Sequence, residues 1–140
     1  MNKIIFLFLI TIIFINSSAN AELSNYEKGK NFFIEKKYDL AKFKFEQDIV
    51  FNPKNENSYL YLAKIYNKKR NDNQEEKNLK TVILLNPKNE EAIYNLTLLK
   101  IRKSNYTESK KLIKDFKTVC KDLCMQTSEL QNKLDTVLKK

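Results

Sequence analysis

One five-residue motif occurs twice in the chain. The run Asn-Pro-Lys-Asn-Glu occupies positions 52–56 and again positions 86–90. In each copy the proline ends a preceding helix, because it lacks the N–H that continues the hydrogen-bond ladder and restricts the residue before it. The second asparagine, Asn55 or Asn89, is a good N-cap, and the glutamate after it lies where the helix dipole favours negative charge. The motif therefore predicts a helix boundary at the same place in successive units of equal length.

The stretches between and beside the two copies have the periodicity of amphipathic helices. One apolar face, with members at i, i+3, i+4 and i+7, consists of Tyr59, Leu62, Ala63 and Tyr66. A second apolar face, directly before the second proline, consists of Leu79, Val82, Ile83 and Leu85. Two such stretches per interval predict two helices per unit and an all-α chain. The chain contains only one glycine and two prolines, which are too few turn residues for a β-sandwich or barrel.

Counting from the prolines divides the chain into three units, 22–55, 56–89 and 90–123. Their period and residue pattern resemble the tetratricopeptide repeat, a helix-turn-helix of about 34 residues with small, aromatic and proline positions at fixed offsets. The match is carried by Gly29, Phe32, Ala41, Phe45, Pro53, Tyr59, Leu62, Ala63, Tyr66, Leu79 and Pro87. Glu75 departs from it where a small residue is expected, and the third unit matches loosely because Lys100 replaces the aromatic. The resemblance implies an α-solenoid of stacked helix pairs.

The C-terminal residues 124–140 predict a capping helix. An apolar stripe at i, i+4, i+7 and i+8 is formed by Leu130, Leu134, Val137 and Leu138. Ser128 and Gln131 have the spacing of a capping box. Repeat arrays leave an apolar face open at each end unless a cap closes it, so we expect this helix to close the third unit. A docking helix for a partner stays open as the alternative.

The N-terminal residues 1–21 have the pattern of a secretory signal peptide. Lys3 precedes residues 4–15, in which only Thr11 is polar, and a small-residue end follows at Ala19 and Ala21. This segment of twelve residues rises only about 18 Å as a helix, short of the roughly 30 Å hydrocarbon core, so a retained anchor is the weaker alternative. We therefore expect an exported protein, periplasmic in a bacterium and secreted otherwise, with cleavage after Ala21.

The two cysteines lie four residues apart, between the third unit and the capping helix. In an exported protein Cys120 and Cys124 most simply form a disulfide with each other. The segment has to turn at 121–123, because Cα atoms four apart in a straight helix lie near the upper limit of disulfide geometry. The spacing is not the C-x-x-C of thiol oxidoreductases, although redox, metal and intermolecular roles stay open.

The resemblance also implies a binding surface. Tetratricopeptide arrays bind extended peptides or helices along a concave groove lined by the first helix of each unit. The groove positions expected to contact a partner are Tyr26, Lys30, Phe33, Leu60, Lys64, Tyr94, Leu98 and Ile101. Other groove positions of the three units are Leu23, Ile34, Asn57, Asn67, Lys68, Glu91 and Arg102. Apolar anchors beside lysines predict a partner segment with apolar and acidic residues. Some family members clamp a C-terminal carboxylate, but Tyr26 and Glu91 occupy positions where that clamp needs cations.

The sequence favours an interaction module over an enzyme. It contains no histidine and no glycine-rich phosphate loop, which removes most metal sites and most nucleophile-base catalysis, and no cofactor is expected. The leading hypothesis is an exported adaptor or assembly factor of the cell envelope that is a monomer or weak homo-oligomer. A structural module that assembles with itself through its third unit or capping helix is the alternative.

The basic charge of the chain raises the question of an anionic partner, such as a nucleic acid or a membrane surface. The formal net charge is +9, or +8 without the predicted signal peptide, but only Arg70 and Arg102 are arginines. Arginine is the residue that nucleic-acid contacts favour, so no nucleic-acid partner is expected. The densest basic run, 68–70, ends a predicted helix, where cations complement the dipole. Weak contact with an anionic membrane surface stays open.

Overall fold

The computed structural model describes residues 22–139, which form seven α-helices and no strand. The helices are α1 (Asn25–Ile34), α2 (Tyr38–Phe51), α3 (Glu56–Lys68), α4 (Asp72–Leu85), α5 (Glu90–Arg102), α6 (Tyr106–Val119) and α7 (Gln126–Leu138). The predicted signal peptide, 1–21, lies outside the described residues. Among the helices of 22–139, none has the length and apolar character that crossing a membrane requires. The predicted all-α class is confirmed.

The helices pack in sequential order. α1 packs on α2, α3 on α4 and α5 on α6, and the pairs contact one another through α2 with α3 and through α4 with α5. Each pair falls within one of the predicted units, 22–55, 56–89 and 90–123, although the unit boundaries themselves stay a prediction. The last helix, α7, packs against both α5 and α6.

Two residues after the end of the first helix of each pair, the chain has a residue with left-handed backbone. Lys36, Arg70 and Ser104 have φ values of 60°, 55° and 57°, and they are separated by the same interval as the two copies of the motif. In each, the backbone N–H donates to the carbonyl three residues earlier, which satisfies one of the free carbonyls at the helix end. Glycine is the usual residue for this conformation, since it has no Cβ to clash. The chain repeats the turn geometry without the glycine that would have revealed it in the sequence.

The recurring motif connects successive loops through its glutamate. Glu56 Oε1 accepts hydrogen bonds from the side-chain amides of Asn86 at 2.9 Å and Asn89 at 3.2 Å, both in the loop one unit later. Asn89 also accepts from the N–H of Ala92, which confirms its predicted role as an N-cap. Asn55 also occupies the predicted N-cap position, of α3, but its side chain makes no capping hydrogen bond and its amide donates to Asp48 instead.

Two hydrophobic clusters form the core. The N-terminal cluster centres on Ala41, Phe45, Leu62 and Ile65, with aromatic side chains packed around it. The larger cluster runs from α3 to α7 and includes Leu79, Leu99, Phe116, Leu130 and Leu134. Gly29 is buried against the ring of Phe45, and a Cβ at this position would lie 2.8 Å from Phe45 Cε1. The only glycine of the chain therefore allows α1 to approach α2 closely.

The seventh helix covers the end of the third pair. Leu130 and Leu134 of α7 are fully buried in the larger cluster, as expected for a capping helix. The predicted capping box is wrong, because α7 begins at Gln126, two residues before Ser128. Ser128 Oγ donates to the Met125 carbonyl, and Gln131 donates to Asp135 along the helix.

Candidate functional site

A cleft of about 260 Å³ opens between four helices. We call it the central cleft, and its lining residues are Phe33, Ala63, Lys64, Asn67, Lys68, Glu75, Leu79 and Asn95. Three of its walls come from the first helix of each pair, α1, α3 and α5, and α4 supplies the fourth. The half-buried Phe33 supplies the accessible apolar surface, and Ala63 and Leu79 are buried behind it. Two lysines and two asparagines bring ammonium and amide groups to the cleft.

The predicted groove residues separate into three groups in the structure. Phe33 and Lys64 line the central cleft. Tyr26 and Lys30 lie beside each other on α1, with the Lys30 Nζ 5.4 Å from the centre of the Tyr26 ring. The residues from the third unit, Tyr94, Leu98 and Ile101, all pack towards α7, and the structure does not bring them into the central cleft.

Two residues expected on the exposed groove surface are buried. Leu60 is 6% exposed and Ile101 is 8% exposed, and both belong to the larger core cluster. Their predicted exposure on the groove surface is therefore wrong, whereas the partner-contact role of the groove positions stays a prediction. Leu60 belongs to the cluster that also contains residues of α5, and Ile101 lies next to α7.

Tyr94 of the third unit contacts the capping helix. The Tyr94 hydroxyl donates to Glu129 Oε2 of α7 at 3.0 Å, and its ring lies 6.2 Å from the Phe116 ring. Burial and the hydrogen bond to Glu129 raise the pKa of Tyr94 to about 12. Leu98 and Ile101 line a broad, shallow depression together with α7. Tyr94, Leu98 and Ile101 therefore help to attach the capping helix to the third helix pair.

The two predicted groove lysines are already paired with acidic side chains. Lys64 Nζ lies 2.7 Å from Glu91 of α5, and Lys30 Nζ lies 3.3 Å from Glu27 of its own helix. The hydrogen bond from Lys30 to Glu27 raises the pKa of that lysine. Burial, followed by the nearby Tyr61, raises the pKa of Tyr26. The positive potential expected from Lys30 and Lys64 is therefore largely compensated within the chain.

Lys68 is the cation of the central cleft that keeps its charge available. Its Nζ lies 5.3 Å from the centre of the Tyr38 ring, and it makes no ion pair with another residue of 22–139. The adjacent Lys69 is engaged with Asp39 across the first two pairs. The basic run 68–70 is thus divided, with one lysine facing the cleft and one fixed in an ion pair.

A buried carboxylate closes the floor of the cleft. Glu75 is only 2% exposed, and its oxygens accept hydrogen bonds from Arg102 Nη2 at 2.7 Å and Asn67 Nδ2 at 2.9 Å. Arg102 also pairs with Asp72 at 2.8 Å. A buried charge needs such partners because desolvation is costly. The carboxylate fixes the side chains of Asn67 and Arg102 and connects α3, α4 and α5 at the cleft.

Sequence reasoning did not place Glu75, Leu79 or Asn95 in the cleft. The available signal was the mismatch at Glu75, where the repeat pattern expects a small residue. A charged side chain at a packing position implies a buried partner, but the partner, Arg102, is 27 residues away. Nothing in the local sequence identifies it.

The predicted cysteine pair lies on the surface between α6 and α7. Cys120 and Cys124 are at disulfide distance, with Cα atoms 5.1 Å apart. The turn between them is held by Glu90, whose carboxylate accepts from the backbone N–H groups of Asp122 and Leu123. Those donors, Leu123 first, hold the pKa of Glu90 below its usual range. The cysteine pair therefore lies in the connection between α6 and the capping helix α7.

Within residues 22–139, no group of three or more acidic or cysteine side chains could hold a metal ion. The central cleft offers the free ammonium of Lys68, two side-chain amides and the apolar surface of Phe33, which are groups that bind and orient a ligand.

Comparison with known proteins identifies the fold. No family model and no curated protein matches the chain. Solved structures do match, among them the TPR2B domain of yeast Sti1 in complex with pHsp70, at a TM-score of 0.74 and 14% identity over 80% of this chain and 94% of that one. The first TPR domain of Spaghetti (RPAP3), bound to an HSP90 peptide, has a TM-score of 0.74 at 21% identity, covering 83% and 91%. The Arabidopsis OM64 TPR domain has a TM-score of 0.72 at 17% identity, covering 80% and 92%. The chain therefore has the fold of a tetratricopeptide repeat domain, which confirms the resemblance found in its repeated sequence pattern.

Proposed function

We propose that the chain is a non-catalytic protein-interaction module that holds a peptide segment of a partner in the central cleft. The observation that carries the proposal is the cleft of about 260 Å³, bounded by α1, α3, α4 and α5. Its apolar surface lies directly beside amide and ammonium groups. Ligand sites in proteins commonly combine an apolar concavity with a few well-placed polar groups.

The similar structures support this function by analogy. The Sti1 domain is described as a complex with pHsp70, and the RPAP3 domain is bound to the HSP90 peptide SRMEEVD. Fold alone does not fix function, so the support lies in the shared architecture and the cleft, and not in conserved contacts.

The cleft favours a partner segment in which an apolar side chain is close to an acidic one. The apolar side chain packs against the half-buried ring of Phe33, and the carboxylate lies beside Lys68, which has no ion pair to break within 22–139. The amide of Asn95 offers a donor and an acceptor to the peptide backbone. Recognition of a free C-terminal carboxylate is not proposed, since Tyr26 and Glu91 stand at positions where such a clamp needs cations.

The proposal includes export, with action as an adaptor or assembly factor in the cell envelope. Its basis is the signal-peptide pattern of 1–21 together with a cysteine pair at disulfide distance. Determining the mature N-terminus by mass spectrometry tests export separately from binding. We expect the chain to begin at Glu22, and an intact Met1 terminus on the protein from its own host would contradict the proposal.

The binding test uses random peptides displayed on phage and selected against the wild-type protein. Affinities of the enriched peptides are then measured by fluorescence anisotropy for the wild type and two cleft variants. Lys68→Glu reverses the available charge, and Asn95→Phe fills part of the cleft. A charge reversal worth about 1 kcal/mol weakens binding about fivefold, and we expect at least that loss.

The matched control is Lys110→Glu, which reverses an exposed lysine on α6, away from the cleft. It should bind the same peptides with unchanged affinity, while circular dichroism shows that all variants stay helical. Selected peptides that bind the three variants and the wild type equally would show that the central cleft is not the binding site.

A further inference from the structure

Helix α2 exposes a row of large apolar side chains on its outer face. Leu40, Phe43, Val50 and Phe51 are between 50% and 75% exposed. At about 100° per residue they fall, with Lys44 and Gln47, within about 120° of the helix circumference. The opposite face of the same helix carries the buried residues Ala41 and Phe45. α2 is therefore apolar on two sides, although only one side has a partner in the described chain.

The internal repeat shows that this outer face is not a requirement of the fold. One unit later, the positions equivalent to Leu40 and Phe43 hold Gln74 and Lys77, and two units later they hold Glu108 and Lys111. The equivalents of Val50 are Leu84, which is also exposed, and Thr118. The centre of the outer face is therefore polar in α4 and α6 and apolar in α2 alone, whereas the C-terminal end of the face is apolar in α4 too, at Leu84 and Leu85.

The charged groups on and beside this face that have no ion-pair partner within 22–139 are lysines. Lys44 is the only charged residue within it, and its Nζ donates to Gln47 at 2.9 Å and lies 5.4 Å from the Phe43 ring. Lys36 and Lys54 stand just before and just after α2 and make no ion pair within 22–139. The acidic residues of α2 lie outside the face. They are paired or buried, and they are Asp39, Glu46 and Asp48.

The size of the face argues against a second copy of the chain as its occupant. Fourteen residues of helix are about 21 Å long, and a stripe about 10 Å wide covers roughly 200 Å². A stable protein interface buries about 800 Å² per partner, and two faces that both carry free lysines repel each other. A lipid surface needs no complementary shape, since apolar side chains enter the headgroup boundary while lysines contact anionic headgroups.

We infer that the outer face of α2 docks on an anionic lipid surface. Leu40, Phe43, Val50 and Phe51 enter the boundary between headgroups and acyl chains, and Lys44 stays at headgroup level. No α2 residue lines the central cleft, so the docked protein keeps the cleft open to a partner. The inference does not rest on peptide binding and can fail or hold independently of it.

The chain contains no tryptophan, so a single introduced indole reports on one position. Phe43→Trp places it on the outer face of α2, and Lys77→Trp places it at the equivalent position of α4. Both variants are mixed with phosphatidylglycerol vesicles that contain brominated lipid. We expect a blue shift and bromine quenching for Phe43→Trp, with neither for Lys77→Trp. Because the readout is local, lipid contact elsewhere in the chain does not imitate it.

A second substitution measures the energetic contribution. Adding the neutral substitution Leu40→Gln to Phe43→Trp should raise the lipid concentration for half-maximal quenching about tenfold, since burying a leucine contributes about that factor. Leu84→Gln, at an exposed leucine of α4, is the matched control in the same background and should change nothing. Equal quenching at both reporter positions, or no response from Phe43→Trp, would overturn the inference. A blue shift that depends on protein concentration without vesicles would also overturn it, by identifying a second copy as the occupant.

Discussion

Glu76 is the centre of an ion-pair network between the second and third helix pairs. Its carboxylate lies 2.7 Å from Lys80 and from Lys100 and 3.0 Å from Lys103. Lys100, only 6% exposed at its side chain, also pairs with Glu108 at 2.8 Å. Hydrogen bonds from Lys100 and Lys80, opposed by burial, lower the pKa of Glu76 to about 2. The carboxylate is thus held ionised far below the pH at which a free glutamate titrates.

The displaced pKa predicts the cost of removing the charge. A carboxyl whose pKa falls from 4.5 to about 2 on folding contributes about 3 kcal/mol at neutral pH. Glu76 is 16% exposed at its side chain, so solvent screens only part of this contribution. Glu76→Gln keeps the shape and removes the charge. We expect it to lower the free energy of unfolding by about 2–3 kcal/mol at pH 7.

The pH dependence gives the sharper test. Because the folded pKa is below the unfolded one, the contribution is fully present above pH 4.5 and disappears as the pH falls towards 2. Urea unfolding of the wild type and Glu76→Gln, monitored by circular dichroism, should therefore show a difference that shrinks steadily between pH 4.5 and pH 3. A single substitution at neutral pH would not separate this effect from a packing change.

The control removes a charge from an exposed pair. Glu46 pairs with Lys42 on the surface of α2 at 2.7 Å, and Glu46→Gln should cost no more than about 0.5 kcal/mol. If Glu76→Gln costs as little as the control at pH 7, the network does not stabilise the junction. If its cost is the same at pH 7 and pH 3, the loss comes from packing and the reasoning from charge is refuted.

Two further predictions concern the two ends of the array. Gly29→Ala should destabilise the fold by about 1 kcal/mol in thermal unfolding, because overpacking against Phe45 outweighs the roughly 1 kcal/mol gain in helix propensity. Combining it with Phe45→Leu should then cost less than the two separate changes, and strict additivity would show that the methyl does not meet the ring. Replacing Cys120 and Cys124 with serine should cost about 2 kcal/mol or less. Reductant should lower the stability of the wild type to that of the double variant, and insensitivity to reductant would show that the thiols are free.

The fold could be predicted because the signals that specify it are local and repeated. A proline interrupts a helix regardless of what surrounds that helix. The apolar spacing within 58–66 likewise indicates a helix without any information about neighbouring helices. Small residues such as Gly29 and Ala63 mark close packing between helices adjacent in sequence. These signals recur at the interval of the motif, so each unit supports the interpretation of the others.

The candidate site was less predictable because exposure depends on the neighbouring element. Leu60 occupies a groove position of its own unit, but it is buried in the cluster that continues into α5, α6 and α7. Lys64 has no acidic neighbour in its own helix turn, and Glu91, its partner, arrives with the next unit. The pairing of Glu75 with Arg102 has the same origin. Contacts across a unit boundary are absent from the local pattern, and they decide which residues a partner can reach.

The two junctions between helix pairs are stabilised by different chemistry. At the first, aromatic rings pack together, with Phe45 stacked on Tyr61 at 4.8 Å and Phe33 edge-on to Tyr61 at 5.1 Å. At the second, Lys100 replaces the aromatic of the repeat and ion pairs with Glu76 connect the helices instead. The first junction also has an ion pair, between Asp39 and Lys69, but Asp39 is exposed and an exposed pair contributes little. Aromatic packing does not titrate in acid, whereas the partly buried pairs of Glu76 do. Acid should therefore loosen the third unit and its capping helix before the first junction, which leaves the Phe33 side of the central cleft intact while its α5 wall opens.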